Sequence, residues 1–174
     1  MGELLGEGAS GHIYRARYVG HDAAIGPGRE LALKVFKAAH TSDGTPQSEL
    51  AAGLAVTPHP QLLTPLAAVT GHPHRQMAMA LPLLPAGMRP LAAPPSLRSC
   101  SRDIYPPQLG LTPGAAQHLL AQVGAAVRHL HQCGVLHGDL YAHNILWDPA
   151  TGTTVLSDLG AAVLTAELPP AQAH

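Results

Sequence analysis

The chain has 174 residues, of which 46% are hydrophobic and 12% charged, and its formal net charge is −1. That balance excludes a disordered chain, which needs little apolar surface and much charge. With no basic surface and only 3% aromatic residues, it also speaks against nucleic-acid binding.

In chain order, residues 3–36 read as strands and turns. "HIYRARYVG" alternates apolar and polar positions around Ile13, Tyr14 and Tyr18. Gly26-Pro27-Gly28 marks a hairpin loop, and "LALKVFK" alternates again with a lysine inside an apolar run. Thr45-Pro46 predicts a helix start, a hydroxyl cap followed by proline in the first turn, with Pro58 and Pro60 ending the helix near Val56. "QLLTPLAAVTG" and "RQMAMALPLL" predict strands interrupted by Pro65 and Pro82, and the proline- and serine-rich residues 85–112 predict mostly loop. The clearest helix is "TPGAAQHLLAQVGAAVRHLHQCG". Thr112 caps it, Pro113 opens it and Gly134 ends it, with Leu119, Leu120, Val123, Val127 and Leu130 at helical spacing. "TTVLSDLGAAV" predicts a short strand and turn. Strands and helices segregate, so the expected class is α+β.

Three groups of residues carry chemistry. "GEGASG", Gly6 to Gly11, fits G-x-G-x-x-G, in which glycine permits close backbone approach to phosphates. The strand-like "HIYRARYV" that follows points to a strand–loop–strand flap rather than a dinucleotide-fold turn; an ordinary hairpin turn is the plain alternative. Lys34, inside an apolar strand, costs desolvation unless it is paired, and Glu49 is the only carboxylate of the helix that follows. An edge-strand lysine reaching water is the competing reading for Lys34, a solvated face for Glu49, and Lys37 is the more exposed lysine nearby. Asp139 and Asn144 sit five apart in "HGDLYAHNIL", before the apolar run Ile145 to Trp147, and Asp158 follows in "SDLG". Two carboxylates and an amide can hold a hard cation and still leave one carboxylate to accept a proton; each alone also fits a cap or an Asx-turn.

Taken in order, these patterns resemble the protein kinase family. "GEGASGHI" is similar to its glycine-rich loop, "LALK" to its strand-lysine motif, and Glu49 falls where the paired helix glutamate belongs. "HPQLL" (59–63) resembles the segment after that helix, "HGDLYAHN" the catalytic loop and "DLG" (158–160) the Asp-Phe-Gly motif. "ALPLLPAG" (80–87) stands where the hinge meets adenine. The resemblance implies a two-lobed fold, with residues 1–88 as an upper lobe of antiparallel sheet and one helix and 89–174 as an incomplete helical lower lobe. It implies ATP and Mg²⁺ as cofactors and a protein as substrate. Gly6, Glu7, Gly8, Gly11, Ile13, Ala32, Lys34, Leu81, Leu83 and Leu146 would meet the nucleotide. Lys34, Glu49 and Asp139 would be catalytic, and Asn144 and Asp158 would hold the metal.

Several positions depart from the family pattern. Gly138 replaces the arginine before the catalytic Asp, so no switch through a phosphorylated activation loop is expected. "His-Gly-Asp" is also the form used by small-molecule kinases of the aminoglycoside and choline type. Tyr141 replaces a lysine, and protonated His143 is one source for part of the missing charge; an exposed loop histidine is the plainer reading. The sequence stops fourteen residues beyond Gly160, so the expectation is a domain truncated after Asp158. Its long helix would then lack a packing partner, at several kcal/mol if a few hundred Å² stay uncovered at roughly 25 cal/mol per Å². A further portion of the lower lobe or a partner would cover it. The alternatives to a protein kinase are an ATP-binding pseudokinase or scaffold and a small-molecule kinase. A metal site of His59, His72 and His74 is a further alternative, but no cysteine or carboxylate lies at suitable spacing, and neutral loop histidines are the simpler account.

Two cysteines, Cys100 and Cys133, make no disulfide framework, so a reducing compartment, the cytoplasm, is expected. "MGELLGEGAS" lacks the basic and apolar regions of a signal peptide. Met77 to Met88 is too short and too proline-broken to span a bilayer, so no membrane partner is expected.

Overall fold

A computed structural model describes residues 2–8, 10–38, 44–70, 77–100 and 103–168. Three strands open the chain, β1 (Leu4–Glu7), β2 (Gly11–Arg17) and β3 (Glu30–Phe36), followed by α1 (Pro46–Ala55), β4 (Ala67–Val69) and β5 (Ala78–Pro82). The strands form a five-stranded sheet in the order β1-β2-β3-β5-β4, antiparallel at every pairing. β3 is therefore an inner strand. Its register sets Lys34 between Ile13 and Met79, which removes the edge-strand reading of Lys34.

Alternation along β3 turns Ala32, Lys34 and Phe36 to one face. Ala32 and Phe36 pack there with Leu50 of α1 and with Met79 and Leu81 of β5. α1 starts as its sequence predicts. Thr45 accepts a hydrogen bond from the Ser48 amide and Ser48 Oγ accepts one from the Thr45 amide, satisfying two of the amides a helix start leaves unpaired.

The second half holds β6 (Arg89–Pro90), α2 (Pro113–Gln132), β7 (Val135–Leu136), β8 (Ile145–Trp147), β9 (Thr154–Leu156) and β10 (Val163–Leu164). Thr112 caps α2 by accepting from the Ala115 amide. Its buried stripe is Leu119, Val123, Ala126 and Leu130, which packs with Val135, Ile145, Trp147 and Leu156. Leu120 is 67% exposed. Helical spacing admits it to the stripe, but the rotational phase chosen by packing puts small Ala126 inside instead. Leu120 borders an open groove with Val127, Arg128, His131 and Leu140. Gln122 ties the helix to the antiparallel β8–β9 pair, donating to the Gly152 carbonyl at 2.9 Å and accepting from the Thr154 amide at 3.0 Å.

Other segments differ from expectation. Among the described residues of "QLLTPLAAVTG", which leave out Gly71, only Ala67–Val69 joins the sheet. Leu62 instead makes a parallel bridge with Leu156, and the Leu63 amide donates to the Leu156 carbonyl at 2.9 Å. This lashes the segment after α1 to the second half. The expected loop 85–112 contributes β6 and an isolated Ala93–Ile104 bridge. Among the described residues, no helix is long and apolar enough to cross a membrane.

Candidate active site

The site assembles where the sheet, α1 and the β7–β9 segments meet. Lys34 and Glu49 are 7% and 4% exposed, and the lysine Nζ lies 2.6 Å from Glu49 Oε1. A buried ammonium is tolerated when such a partner offsets its lost hydration. The same Nζ is 4.0 Å from Asp158 Oδ1. Lys34, Glu49 and Asp158 line one cavity with Ile13, Met79, Leu81 and Leu146. A second cavity, which also touches Ile13, Leu81 and Leu146, extends it past Ala32 to Leu83, Pro85 and Met88. The first cavity is mostly apolar, with Lys34, Glu49 and Asp158 as its charged side chains, the usual make-up of a small-molecule site; Glu3 and Arg15 add charge to the second.

Asp158 adopts φ 62°, a left-handed conformation unusual for a non-glycine residue. It is held by a Gly160 amide that donates to Asp158 Oδ1 at 3.0 Å. Asp139 and Asn144 stand beside this loop. Asn144 Nδ2 donates to the Asp139 carbonyl and to Asp139 Oδ2, both at 2.9 Å. Both amide hydrogens are thereby used, which leaves the amide oxygen as the atom for a cation. The two loops are joined directly: the Ser157 amide and hydroxyl both donate to the Asn144 carbonyl at 2.9 Å. His137, 4% exposed, donates from Nε2 to the Ser157 carbonyl at 3.1 Å and accepts the Asp139 amide at Nδ1. Burial pushes its pKa below the ordinary histidine value, consistent with the neutral tautomer those bonds require.

Gly138 has φ 78°, and a Cβ built there would lie 2.1 Å from the Ala161 carbonyl oxygen. The catalytic-type loop and the loop after Asp158 approach too closely for any side chain. The departure from the family arginine is thus required by packing in this chain. His143 is not an exposed loop histidine. Its side chain is 14% exposed, with Nε2 3.7 Å from Asp139 Oδ2 and Nδ1 3.6 Å from Asp103 Oδ1, and its ring stacks on Tyr141.

In the glycine-rich turn, a Cβ at Gly11 would meet the Val35 carbonyl oxygen at 2.6 Å, whereas a Cβ at Gly6 or Gly8 would meet nothing within 4 Å. Packing therefore explains Gly11 but not the other two. Glu7 and the glycines sit on the flap and are not among the cavity-lining residues.

Sequence reasoning missed Leu5, Leu63 and Met79, which line the cavities, and Asp103, whose carboxylate accepts the Ala142 amide at 2.8 Å. Leu5 had a signal in its place directly before the first glycine; Asp103 had none. His59 stacks on His129, while His72 and His74 lie outside the described residues. Among the described residues, no group of three or more His, Cys, Asp or Glu is placed to hold a metal ion.

The sequence matches the protein kinase domain family over residues 1–172. It is 31% identical to CBL-interacting protein kinase 22 of Oryza sativa subsp. japonica, over 92% of this chain and 35% of that protein. It is 31% identical to the cyclin-dependent kinase 4 homolog of Caenorhabditis elegans, over 91% of this chain and 36% of that protein. It is 33% identical to the serine/threonine-protein kinase PkaA of Streptomyces coelicolor, over 93% of this chain and 29% of that protein. The chain thus spans about a third of the length of these curated relatives. With a family match over nearly its whole length, and with an antiparallel sheet and paired lysine above an acidic loop, this chain belongs to the protein kinase family.

Proposed function

We propose that this chain binds Mg-ATP in the cavity beneath the glycine-rich turn and transfers the γ-phosphoryl group to a protein hydroxyl, serine or threonine rather than tyrosine. The observation that carries the reading is the placement of Lys34 Nζ, 2.6 Å from Glu49 and 4.0 Å from Asp158, in a mostly apolar cavity. Nothing within the described fold fills the space a Cβ would take at Gly6 or Gly8, which leaves room there for a ligand.

In this reading Ile13, Ala32, Leu81, Leu83 and Leu146 wall the adenine, and the backbone of the turn that carries Gly6, Glu7, Gly8 and Gly11 covers the phosphates. Glu49 holds the Lys34 ammonium toward the α- and β-phosphates. The oxygen donors fit a hard cation: Asn144 Oδ1 and the Asp158 carboxylate would hold Mg²⁺. When bound, the ion neutralises phosphate charge. The Asp139 carboxylate, fixed by Asn144, takes the proton of the attacking hydroxyl. Most of the rate gain comes from positioning and charge. Residues 1–88 act as the upper lobe and 89–174 as part of the lower. The acceptor class follows the relatives, one of which is named a serine/threonine-protein kinase. The free thiols of Cys100 and Cys133 suit a reducing compartment such as the cytoplasm.

A pseudokinase that binds nucleotide without transfer is the second reading, favoured by Tyr141 at the usual lysine position, stacked on His143. Asp139→Asn separates the two. On the first reading the variant still binds Mg-ATP but loses radiolabel transfer to a generic protein acceptor; equal signal from both proteins removes Asp139 from the chemistry.

A further inference from the structure

Lys37 follows β3 and has no place in the mechanism above, yet it reaches back to the glycine-rich turn. Its Nζ lies 2.5 Å from Glu7 Oε1 and donates to the Gly8 carbonyl at 3.0 Å, and its amide donates to the Ser10 carbonyl at 3.1 Å. His12, opposite Glu7 in the β1–β2 register, places Nε2 3.4 Å from the same carboxylate oxygen. Ile13 turns into the cavity, so His12 and the charges around it lie on the flap's outer surface.

A carboxylate within a turn that covers a polyphosphate is unfavourable, because like charges repel across so short a span. We propose that Lys37 is a positioning residue of the nucleotide lid. It offsets the charge of Glu7 and ties the turn to the end of β3, so the lid closes over a nucleoside triphosphate without an opposing carboxylate. The ammonium and His12 also hold the Glu7 carboxyl below its usual pKa. The side chains of Glu7 and Lys37 are 56% and 32% exposed; such pairs contribute little to fold stability, and the effect belongs in nucleotide affinity.

The proposal rests on the nucleotide-site reading, and a double-mutant cycle on the full chain tests it with Mg-ATP and adenosine as probes in calorimetric titration. Lys37→Met is expected to weaken Mg-ATP binding by about threefold to tenfold, with adenosine, which carries no phosphate, unchanged. Adding Glu7→Gln to Lys37→Met is expected to restore Mg-ATP affinity to within about twofold of the parent chain. The proposal is overturned if the loss persists in the double variant or if adenosine weakens equally, since either result assigns Lys37 a merely structural role. Failure of the parent chain itself to bind Mg-ATP overturns the nucleotide-site reading, and the proposal with it.

Discussion

Removing the Glu49 carboxylate should destabilise the fold far more than removing both members of its ion pair. The side chains of Lys34 and Glu49 are 9% and 5% exposed and 2.6 Å apart. Breaking such a pair by deleting one partner typically costs 3–5 kcal/mol, because the other charge stays buried. Here Asp158 stands 4.0 Å from the same ammonium and is 46% exposed, so it takes over part of the compensation. The expected cost of Glu49→Ala is therefore at the lower end, about 2–4 kcal/mol, which for a chain of this size lowers Tm by about 5–12 °C. In Lys34→Met with Glu49→Leu, no charge of the buried pair is left uncompensated, and Asp158, 46% exposed, stays in contact with solvent. The neighbours are Phe36, Leu50, Met79 and Leu81, so apolar replacements pack, and stability should return to within about 1 kcal/mol of the parent. Thermal and urea unfolding followed by circular dichroism measure all three proteins. A single variant within about 0.5 kcal/mol of the parent, or a double variant no better than the single, would refute the account of the pair.

Asp103 is expected to matter through the Ala142 amide it accepts at 2.8 Å. Asp103→Ala should lower kcat at nearly constant KM for ATP, while Asp103→Asn, which keeps an oxygen acceptor, should recover most of it; equal losses in the two would exclude the hydrogen bond as the cause. His137 predicts a pH dependence of stability. Burial lowers its pKa in the fold, so below the unfolded value of ~6.5 the unfolded chain binds more protons, and stability falls as pH drops from there toward the folded pKa. His59, also lowered by burial and by nearby His129, adds a slope of the same sign. Urea midpoints at pH 7.5, 6.5 and 5.5 should therefore fall less in His137→Gln than in the parent, and parallel curves would contradict the assignment.

The parts of the site with a local signature were legible in the sequence, and those built by long-range packing were not. Lys34 was visible as a charge inside an apolar strand, and Asp139, Asn144 and Asp158 as oxygen donors grouped in short loops; Gly6, Gly8 and Gly11 were visible as spacing but line neither cavity. Glu49 was legible because Thr45 and Pro46 mark the helix that carries it. Asp103 was invisible, since it lies in a stretch without periodicity and reaches the Ala142 amide only through the Ala93–Ile104 bridge. The strand expected before Gly71 shortened because Gln61 to Leu63 bond to Leu156, 93 positions after Leu63, a partner that no local pattern announces. Gly138 was read as a lost arginine; only the carbonyl of Ala161 reveals it as a steric requirement.

The most direct test is calorimetric titration of Mg-ATP into the chain and into Lys34→Met, with near-UV circular dichroism to show that both are folded. The account predicts binding to the parent and at least about tenfold weaker binding to the variant. Equal affinity in two folded proteins would contradict it.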